Sequence, residues 1–398
     1  MTDSADLVIV GGGTIGGWAS YFAASSNARV VVLERGRVGS GASSRAAGIV
    51  RAQGGTPATV ALGRWSIDFY RSQPDLFGFD SGFRELGYML LAATEQDVED
   101  ARSRIEMQRA EDLDVRWLEP EAAAAEAPTL SPRGHHGATY VATDGAIDPP
   151  RNVLAYSLAM KEAGVDVREK TPMTGLVKTP GSSSKVIGVE TPDGIVSTER
   201  VLLTGGPSLR SIGRLAGIPI PVGGARHQVA ITEPHEQFTV DRAPMIFDLR
   251  AGLYWRLEEG GLLFGMSNPN EPPGEARSID WDYMAKMRAR LAELVPVTRD
   301  LELRKVWAAT IDYTPDHLPI VGPAVSYQGP AEGVTVAAAG GHGMMWGPAV
   351  ARIAADLALE GTTSVTDVAD LGLDRFDEEG RSRLEADPIA LPFPVTAE

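Results

Sequence analysis

The apolar and polar positions divide the chain into segments of distinct character. Leu7-Val8-Ile9-Val10 is an unbroken apolar run, which predicts a strand buried on both faces of a parallel sheet. Residues 16–25 are small and aromatic and predict a helix lying close on that sheet, and residues 29–33 predict a second strand, followed by Glu34. Helical patterns recur over 56–72, 96–112, 119–127, 150–163 and 280–294, with Pro128 ending the third of them. A strand pair is expected near 83–93. Residues 173–204 read as a β-meander with turns at Gly181-Ser182-Ser183-Ser184 and Pro192-Asp193-Gly194, closing in the buried run Val201-Leu202-Leu203. Residues 222–265 are mostly strand-like. A strand over 334–338 leads to a glycine cluster, and Pro348 opens a helix to about residue 359. The polar, acidic residues after Thr366 predict an extension lying on the surface.

Between the first strand and helix, Gly11-Gly12-Gly13-Thr14-Ile15-Gly16 matches G-x-G-x-x-G at 11, 13 and 16, and Glu34 stands 21 residues beyond Gly13. Gly11 permits the tight turn, Gly13 lets a pyrophosphate approach the backbone, and Gly16 lets helix and strand touch. The helix start offers unpaired N–H groups and a partial positive charge to phosphates. Glu34 suits ribose hydroxyls and repels a 2′-phosphate. A glycine loop alone is also a plain turn. Strand, loop, helix, strand and acid in register predict a site for an ADP-containing dinucleotide.

Composition narrows the partners. At 398 residues and 43% hydrophobic, the chain can build two ordinary domains. Its 53 acids against 37 bases leave a net charge of −16, which argues against nucleic acid or an anionic membrane. No cysteine is present, so a disulfide, a thiolate nucleophile, iron–sulfur ligation and a cysteinyl flavin link are ruled out. Met1-Thr2-Asp3-Ser4-Ala5-Asp6 carries no basic signal region and no apolar run reaches membrane length, so the expectation is a cytoplasmic protein. The six histidines are scattered. His135-His136, in a Pro-Arg-Gly turn, is expected in solvent, and no metal site is expected.

After Glu34, the stretch Arg35-Gly36-Arg37-Val38-Gly39-Ser40-Gly41-Ala42-Ser43-Ser44-Arg45-Ala46-Ala47-Gly48 is too rich in small residues for a packed element and predicts a loop with its backbone close to a ligand. With this loop the chain resembles the FAD-dependent amine oxidoreductases related to D-amino acid oxidase, glycine oxidase and sarcosine oxidase. The resemblance continues through Glu85-Leu86-Gly87-Tyr88-Met89-Leu90-Leu91 and Asp144-Gly145-Ala146-Ile147-Asp148-Pro149, the latter also readable as a turn plus a helix cap. Trp307, Thr314-Pro315-Asp316-His317-Leu318-Pro319-Ile320-Val321-Gly322 and Gly340-Gly341-His342-Gly343-Met344-Met345-Trp346-Gly347 extend it to about residue 362.

The resemblance implies an α/β fold. A Rossmann-like FAD-binding domain would be built from 1–82, 144–215 and 309–366, with an antiparallel-sheet substrate domain from 83–143 and 216–308 and a C-terminal extension over 367–398. It implies FAD contacts from Gly11, Gly13, Thr14, Ile15, Gly16, Glu34, Arg35, Ala42, Ser43, Ser44, Arg45, Val177, Gly205, Gly341, His342, Gly343 and Met344. The second glycine cluster, before a helix, would face the flavin pyrimidine, where reduction develops negative charge.

The implied reaction moves a hydride from the carbon beside a neutral amine to the flavin, leaving an imine that water hydrolyses. The substrate is an amine or amino acid, a secondary amine being favoured, and oxygen or another acceptor takes the electrons. Orientation in a dry, correctly charged pocket then matters more than any nucleophile. Arg51 ends a stretch whose last arginine, in the family, reaches a substrate carboxylate with its fork; a structural bridge between two elements is the equal alternative. Tyr254 and Arg256 alternate onto one strand face, either to orient substrate or as a polar sheet surface. His342 resembles the family histidine beside the flavin, suited to shaping the site, and Trp307 either packs the core or walls the pocket.

Three departures matter. Arg45 stands where covalently flavinylated relatives carry histidine, which implies noncovalent FAD. Met345 replaces a lysine of the monomeric sarcosine oxidases, which implies a bulkier substrate or one without an α-carboxylate. Gly260-Gly261-Leu262-Leu263-Phe264-Gly265 shows no counterpart of their oxygen-activating lysine, which weakens oxidase against dehydrogenase. A dehydrogenase subunit feeding a partner in a hetero-oligomer, a non-catalytic flavin-binding protein and, more weakly, a nicotinamide dehydrogenase are the alternatives.

Overall fold

The computed structural model describes residues 3–180, 185–239, 242–326 and 329–390; the predicted turn at Gly181-Ser182-Ser183-Ser184 lies outside them. Six strands form the first sheet, in the order Ile320–Ser326, Gly329–Ala338, Val201–Leu203, Leu7–Val10, Val30–Leu33, Asp166–Arg168. All neighbours are parallel except the first pair. Its strands are apolar without a break because alternate residues feed two cores. Leu7, Ile9, Val32 and Leu202 face the helices Thr14–Ser25, Pro149–Glu162 and Gly347–Glu360. Val8, Val10, Val31 and Leu203 face the three-stranded meander and the helix Leu209–Ala216. In the meander Gly175–Lys178, Val186–Thr191 and Gly194–Ser197 pair antiparallel.

The second sheet has eight strands, in the order Leu303–Tyr313, Gly223–Thr232, Gly261–Met266, Leu253–Glu258, Met245–Asp248, Tyr88–Ala92, Gly137–Val141, Arg116–Leu118. It is antiparallel except where Met245–Asp248 runs beside Tyr88–Ala92. One face, with Ala230, Trp255, Leu262 and Phe264, is sealed by the helix Trp281–Leu294. That helix is capped by Asp280, whose carboxylate accepts the Tyr283 N–H at 3.0 Å. The opposite face carries Val229, Ile231, Phe247, Tyr254 and Leu263.

A small sheet of Ile49–Val50, Gly145–Ala146 and Arg84–Glu85 lies where the chain crosses between the two large ones. Asp144 anchors the crossing: its buried carboxylate accepts the Ala52 N–H at 2.9 Å, and its carbonyl accepts from Gly87. Asp148 then caps the helix Pro149–Glu162 through the Arg151 N–H. The turn-plus-cap geometry and the crossing are therefore one feature.

Two expectations need correcting and a third needs refining. The helix predicted over 56–72 runs Pro57–Phe77, carrying Pro74 inside it, because Phe77 stacks on Trp18 with centroids 5.8 Å apart and holds the last turn. His135 is buried rather than solvated. Its Nδ1 accepts the Gly137 N–H at 3.2 Å, so its Nε2 carries the proton that meets the Ser131 carbonyl, also at 3.2 Å. The acidic C-terminal extension lies on the surface for most of its described length but is pinned there by buried anchors. Leu371 enters the helical core and Leu373 the meander core, and Ile389 is fully buried. Sparse anchors in a polar stretch account for the miss.

The tightest of those anchors is Arg375, which forks onto Asp316 with Nε–Oδ2 at 2.7 Å and Nη2–Oδ1 at 3.1 Å, both residues buried. It also donates to the carbonyls of Leu371 and Leu318. Burial would raise the Asp316 carboxyl, but the guanidinium holds it below the usual range. Among the described residues no helix is long and apolar enough to cross a membrane. Asp316→Ala leaves Arg375 buried without its counter-charge and is expected to cost about 3–5 kcal/mol in urea unfolding, whereas the double change Asp316→Leu/Arg375→Leu costs less.

Candidate active site

The site begins where the first sheet ends. Gly11 has φ of 111°, and a Cβ on it would stand 2.8 Å from the Thr204 carbonyl oxygen. A Cβ on Gly16 would collide with the Gly11 carbonyl, so the helix Thr14–Ser25 rests directly on the turn. No side chain caps it at Gly13. Ser43 reaches over from the small-residue loop and accepts from Thr14 N–H at 3.0 Å and Thr14 Oγ1 at 3.1 Å. Glu34 closes the other side, one carboxylate oxygen accepting Gly12 N–H at 2.8 Å and the other Gly36 N–H at 2.7 Å. Each oxygen keeps a further lone pair for a hydroxyl.

From the other flank comes the second glycine cluster. Gly340 and Gly341 have φ of 56° and 88°, and this turn seats His342 on Trp346 with ring centroids 4.3 Å apart. The half-buried Asp312 carboxylate accepts the Gly340 N–H at 3.0 Å and holds the turn. His342 Nδ1 lies 3.0 Å from the Gly340 carbonyl, so Nδ1 carries the proton and Nε2 is left as an acceptor. Burial, reinforced by Arg51, pushes its pKa down to about 3. The ring is neutral at physiological pH. A Cβ on Gly343 would meet nothing within 4 Å, leaving the backbone bare toward open space.

Between these flanks lies a cavity of about 680 Å³. It is lined by Gly11, Gly13, Thr14, Ile15, Glu34, Arg35, Ala42, Ser43, Arg45, Gly205, Gly341, His342, Gly343 and Met344. Three of the predicted cofactor residues are not in its wall. Gly16 lies beneath the loop against Gly11, Ser44 is not among the lining residues, and Val177 sits in the meander, where Pro172 and Met173 form the wall instead.

Toward the second sheet the cavity is closed by Tyr254 and by a residue the sequence pattern did not single out, His227. Gly265 pairs opposite Tyr254, and a side chain there would overlap the phenol, so glycine lets the ring lie across the strand. The phenol then meets His227 Nε2 at 2.6 Å. Burial lowers the His227 pKa to about 4 and raises the Tyr254 phenol well above its ordinary value, so both are neutral. His227 Nδ1 has no hydrogen-bond partner among the described residues. The available signal was alternation: Ala225, His227, Val229 and Ile231 share a face of one strand, and the histidine interrupts an apolar row.

The family model described as "FAD dependent oxidoreductase" matches residues 6–357. The chain belongs to that family. It is 26% identical over 388 residues to 4-methylaminobutanoate oxidase (formaldehyde-forming) of Paenarthrobacter nicotinovorans, covering 94% of this chain and 46% of that one. Over 389 residues it is 28% identical to glycine oxidase of Geobacillus kaustophilus (strain HTA426), covering 94% of this chain and 98% of the relative. Its fold superposes on the crystal structure of L-proline dehydrogenase from P. horikoshii with a TM-score of 0.87 at 26% identity, covering 96% of this chain and all of that one. The chain thus spans less than half of the first relative's length and nearly all of the second's.

The residues of this FAD-dependent oxidoreductase fit its cofactor. Bare glycines and a helix start without a side-chain cap would offer N–H groups to a pyrophosphate, and the remaining lone pairs of Glu34 would accept from ribose hydroxyls. Asn152, also not foreseen, ties the cradle together: its Oδ1 accepts from Trp18 Nε1 at 3.1 Å and Ser81 Oγ at 3.0 Å, while its Nδ2 donates to Thr14 Oγ1 at 3.3 Å. Trp307 donates its indole N–H to the Arg45 carbonyl at 2.8 Å and pins the small-residue loop.

Two of the substrate candidates, His342 and Tyr254, line the cavity, and two do not. Arg256 turns to the Ala47 carbonyl at 3.2 Å and to Glu258. Arg51 donates to the carbonyls of Gln53 and Ile389.

Gly16→Ala is expected to lower FAD retained per polypeptide about tenfold or more, read by flavin absorbance, with far-UV dichroism unchanged. A pH effect follows from the two depressed histidines. In the unfolded chain they bind protons near their ordinary pKa of 6.5, while the folded chain holds them neutral down to about 4 and about 3. Their contribution is complete above about pH 6.5 and is lost as pH falls below it, by at most about 1.4 kcal/mol per pH unit for each histidine. His227→Gln should flatten that acid limb in urea titrations between pH 6.5 and 4.5.

Proposed function

We propose that this chain oxidises an amine or amino acid at its C–N bond, a secondary amine being the favoured substrate. The observation that carries the reading is the uncharged end of the cavity, where the buried His227, Tyr254 and His342 meet the glycine cradle with no ionised group among the three. A neutral amine gives up a hydride readily, and a charged base is not required. FAD, when bound, supplies the two-electron acceptor.

The roles of the chain's own residues follow from their protonation. His342 Nε2, as an acceptor, takes a hydrogen bond from the substrate N–H and holds the amine in its neutral form. The His227–Tyr254 pair presents one O–H or N–H and fixes the side of the substrate that faces the cofactor. The loop pinned by Trp307 and the apolar wall around Tyr254 keep water away from the reacting carbon. Hydride loss from carbon and proton loss from nitrogen leave an imine, and water converts it to a carbonyl compound and an amine. Likeness to 4-methylaminobutanoate oxidase, glycine oxidase and L-proline dehydrogenase supports an amine donor. FAD is held noncovalently: the chain has no cysteine, and Arg45 is engaged with the Ser40 and Gly41 carbonyls.

The test is an anaerobic titration of the yellow protein with sarcosine, proline, D-amino acids, N-methylated amines and carboxylate-free analogues. The expected result is bleaching by at least one secondary amine, with free FAD released by acid precipitation. Readmitting air then separates an oxidase, which regains its colour at once, from a dehydrogenase, which needs another acceptor. Tyr254→Phe is expected to slow bleaching about tenfold, the loss of one positioning hydrogen bond, at unchanged FAD content. A yellow protein that no amine reduces would overturn the proposal.

A further inference from the structure

Behind His342, outside the cavity wall, lies an unusual group of charges. Arg51 is 2% exposed and Arg104 7% exposed, and among the described residues neither has a carboxylate at ion-pair distance. Arg51 spends its fork on two peptide carbonyls, those of Gln53 and Ile389, the latter at 2.9 Å. Arg104 Nε is buried without a hydrogen-bond partner. Two buried guanidinium groups with incomplete partners are costly, and a carboxylate is the group whose two oxygens and charge would satisfy them.

The carboxylate that does approach comes from the C-terminal extension. Asp387 is 4% exposed; its Oδ1 accepts the Ile389 N–H at 3.0 Å, and its Oδ2 has no hydrogen-bond partner. The segment is pressed against the backbone at Gly55, where any side chain would overlap the Asp387 carboxylate. Ile389 is fully buried in the cluster that holds Ala47, Tyr88 and Tyr254, with Trp307 packed against it. Ala47 and Tyr254 are themselves cavity wall. The extension therefore backs the wall at the proposed substrate end of the cavity.

We propose that Asp387-Pro388-Ile389-Ala390 is a tethered occupant of the space behind this wall, seating a carbonyl on Arg51 and bringing a carboxylate toward the two arginines, and that a free carboxylate displaces it. The ligand class is a monocarboxylate, and on the amine-oxidation reading it is the acid end of the substrate. The fit of the strap is good enough to hold and poor enough to be replaced. A single carbonyl and a half-partnered carboxylate leave donors on both arginines unused, and a forked carboxylate uses them. Upstream, Asp387 N–H is tied to the Asp316 carbonyl at 3.0 Å and Asp316 to Arg375, so a released strap stays at high local concentration. The strap thus selects for ligands that can compete for Arg51.

The experiment uses the FAD-loaded full-length chain, an Ile389→Gly variant and a truncation ending at Glu385. Each is titrated with butanoate and with butanamide, following the shift in flavin absorption. The expected result is that both altered chains bind butanoate about tenfold or more tightly than the parent, with butanamide unchanged, and that adding Arg51→Gln removes the gain. In the parent chain, butanoate should also speed hydrogen exchange at the amides of residues 389 and 390, which are bonded to Asp387 in the closed strap. Should the truncation fail to fold, Ile389→Gly and the exchange measurement carry the test. Equal butanoate affinity in parent and altered chains, with exchange at 389 and 390 unmoved, would make the strap a fixed part of the wall and overturn the proposal. Neither readout needs turnover, so an absence of amine oxidation leaves this result interpretable.

Discussion

The contact between Gly16 and the Gly11 carbonyl is the constraint on which the rest depends. Because neither residue has a side chain, the helix Thr14–Ser25 begins in contact with the strand end, and its free N–H groups point where the strands of the parallel sheet stop. Thr204 then closes on the same turn, donating its hydroxyl to the Gly11 carbonyl at 3.0 Å and tying in the strand Val201–Leu203 from far along the chain. Glu34 is held by Gly12 and Gly36 rather than by a charged partner, which keeps its lone pairs directed at the cavity. Two missing Cβ atoms thus set the helix start, the acid beside it and a third strand together.

Burial governs the other end of the cavity. Burial pushes each ionisable group there toward its uncharged form: His227 and His342 down, Tyr254 up, and the Asp144 carboxyl up to about 7 despite the N–H groups of Ala52 and Gln53. The arginines cannot follow, because a guanidinium does not surrender its proton. Arg51 and Arg104 are therefore the fixed charges of the region, and the surrounding structure answers them with carbonyls, an aromatic face at Tyr88 and the strap carboxylate. A site that is neutral where the amine is proposed to react and cationic beyond it imposes an orientation on any ligand carrying an acid group.

Local chemistry made the first 34 residues legible. Strand, glycine turn, helix and acid all lie within one supersecondary unit, so each residue's role follows from its neighbours in sequence. The meander, the helix Trp281–Leu294 and the glycine cluster at 340–343 were readable for the same reason. His227 was not, because its contact depends on Tyr254 on a different strand and on the absence of a side chain at Gly265 on the strand between. Arg51 was left open between a substrate carboxylate and a structural bridge, and one of its partners, the Ile389 carbonyl, lies 338 residues away. The extension misled for a related reason. Its average composition is that of a solvated tail, while its placement is decided by Leu371, Leu373, Arg375 and Ile389, four residues that averages dilute.

Those four residues also separate two parts of the extension by energy. Arg375 makes a forked pair with Asp316 and several carbonyl contacts, so the segment around it is fixed as firmly as the sheet it touches. Beyond it, the contacts weaken to a few backbone bonds, one buried isoleucine and a carboxylate with an unused oxygen. Stability need not be uniform along a chain, and an element that must leave a site is drawn from the weakly held end. A firm anchor followed by a loosely satisfied tip is the arrangement expected of a tether that returns to the same place after each displacement. Ligand affinity at the arginine end then reports a difference, the ligand's contacts minus those of the strap, and a wall that competes in this way discriminates against molecules that could only fill the space.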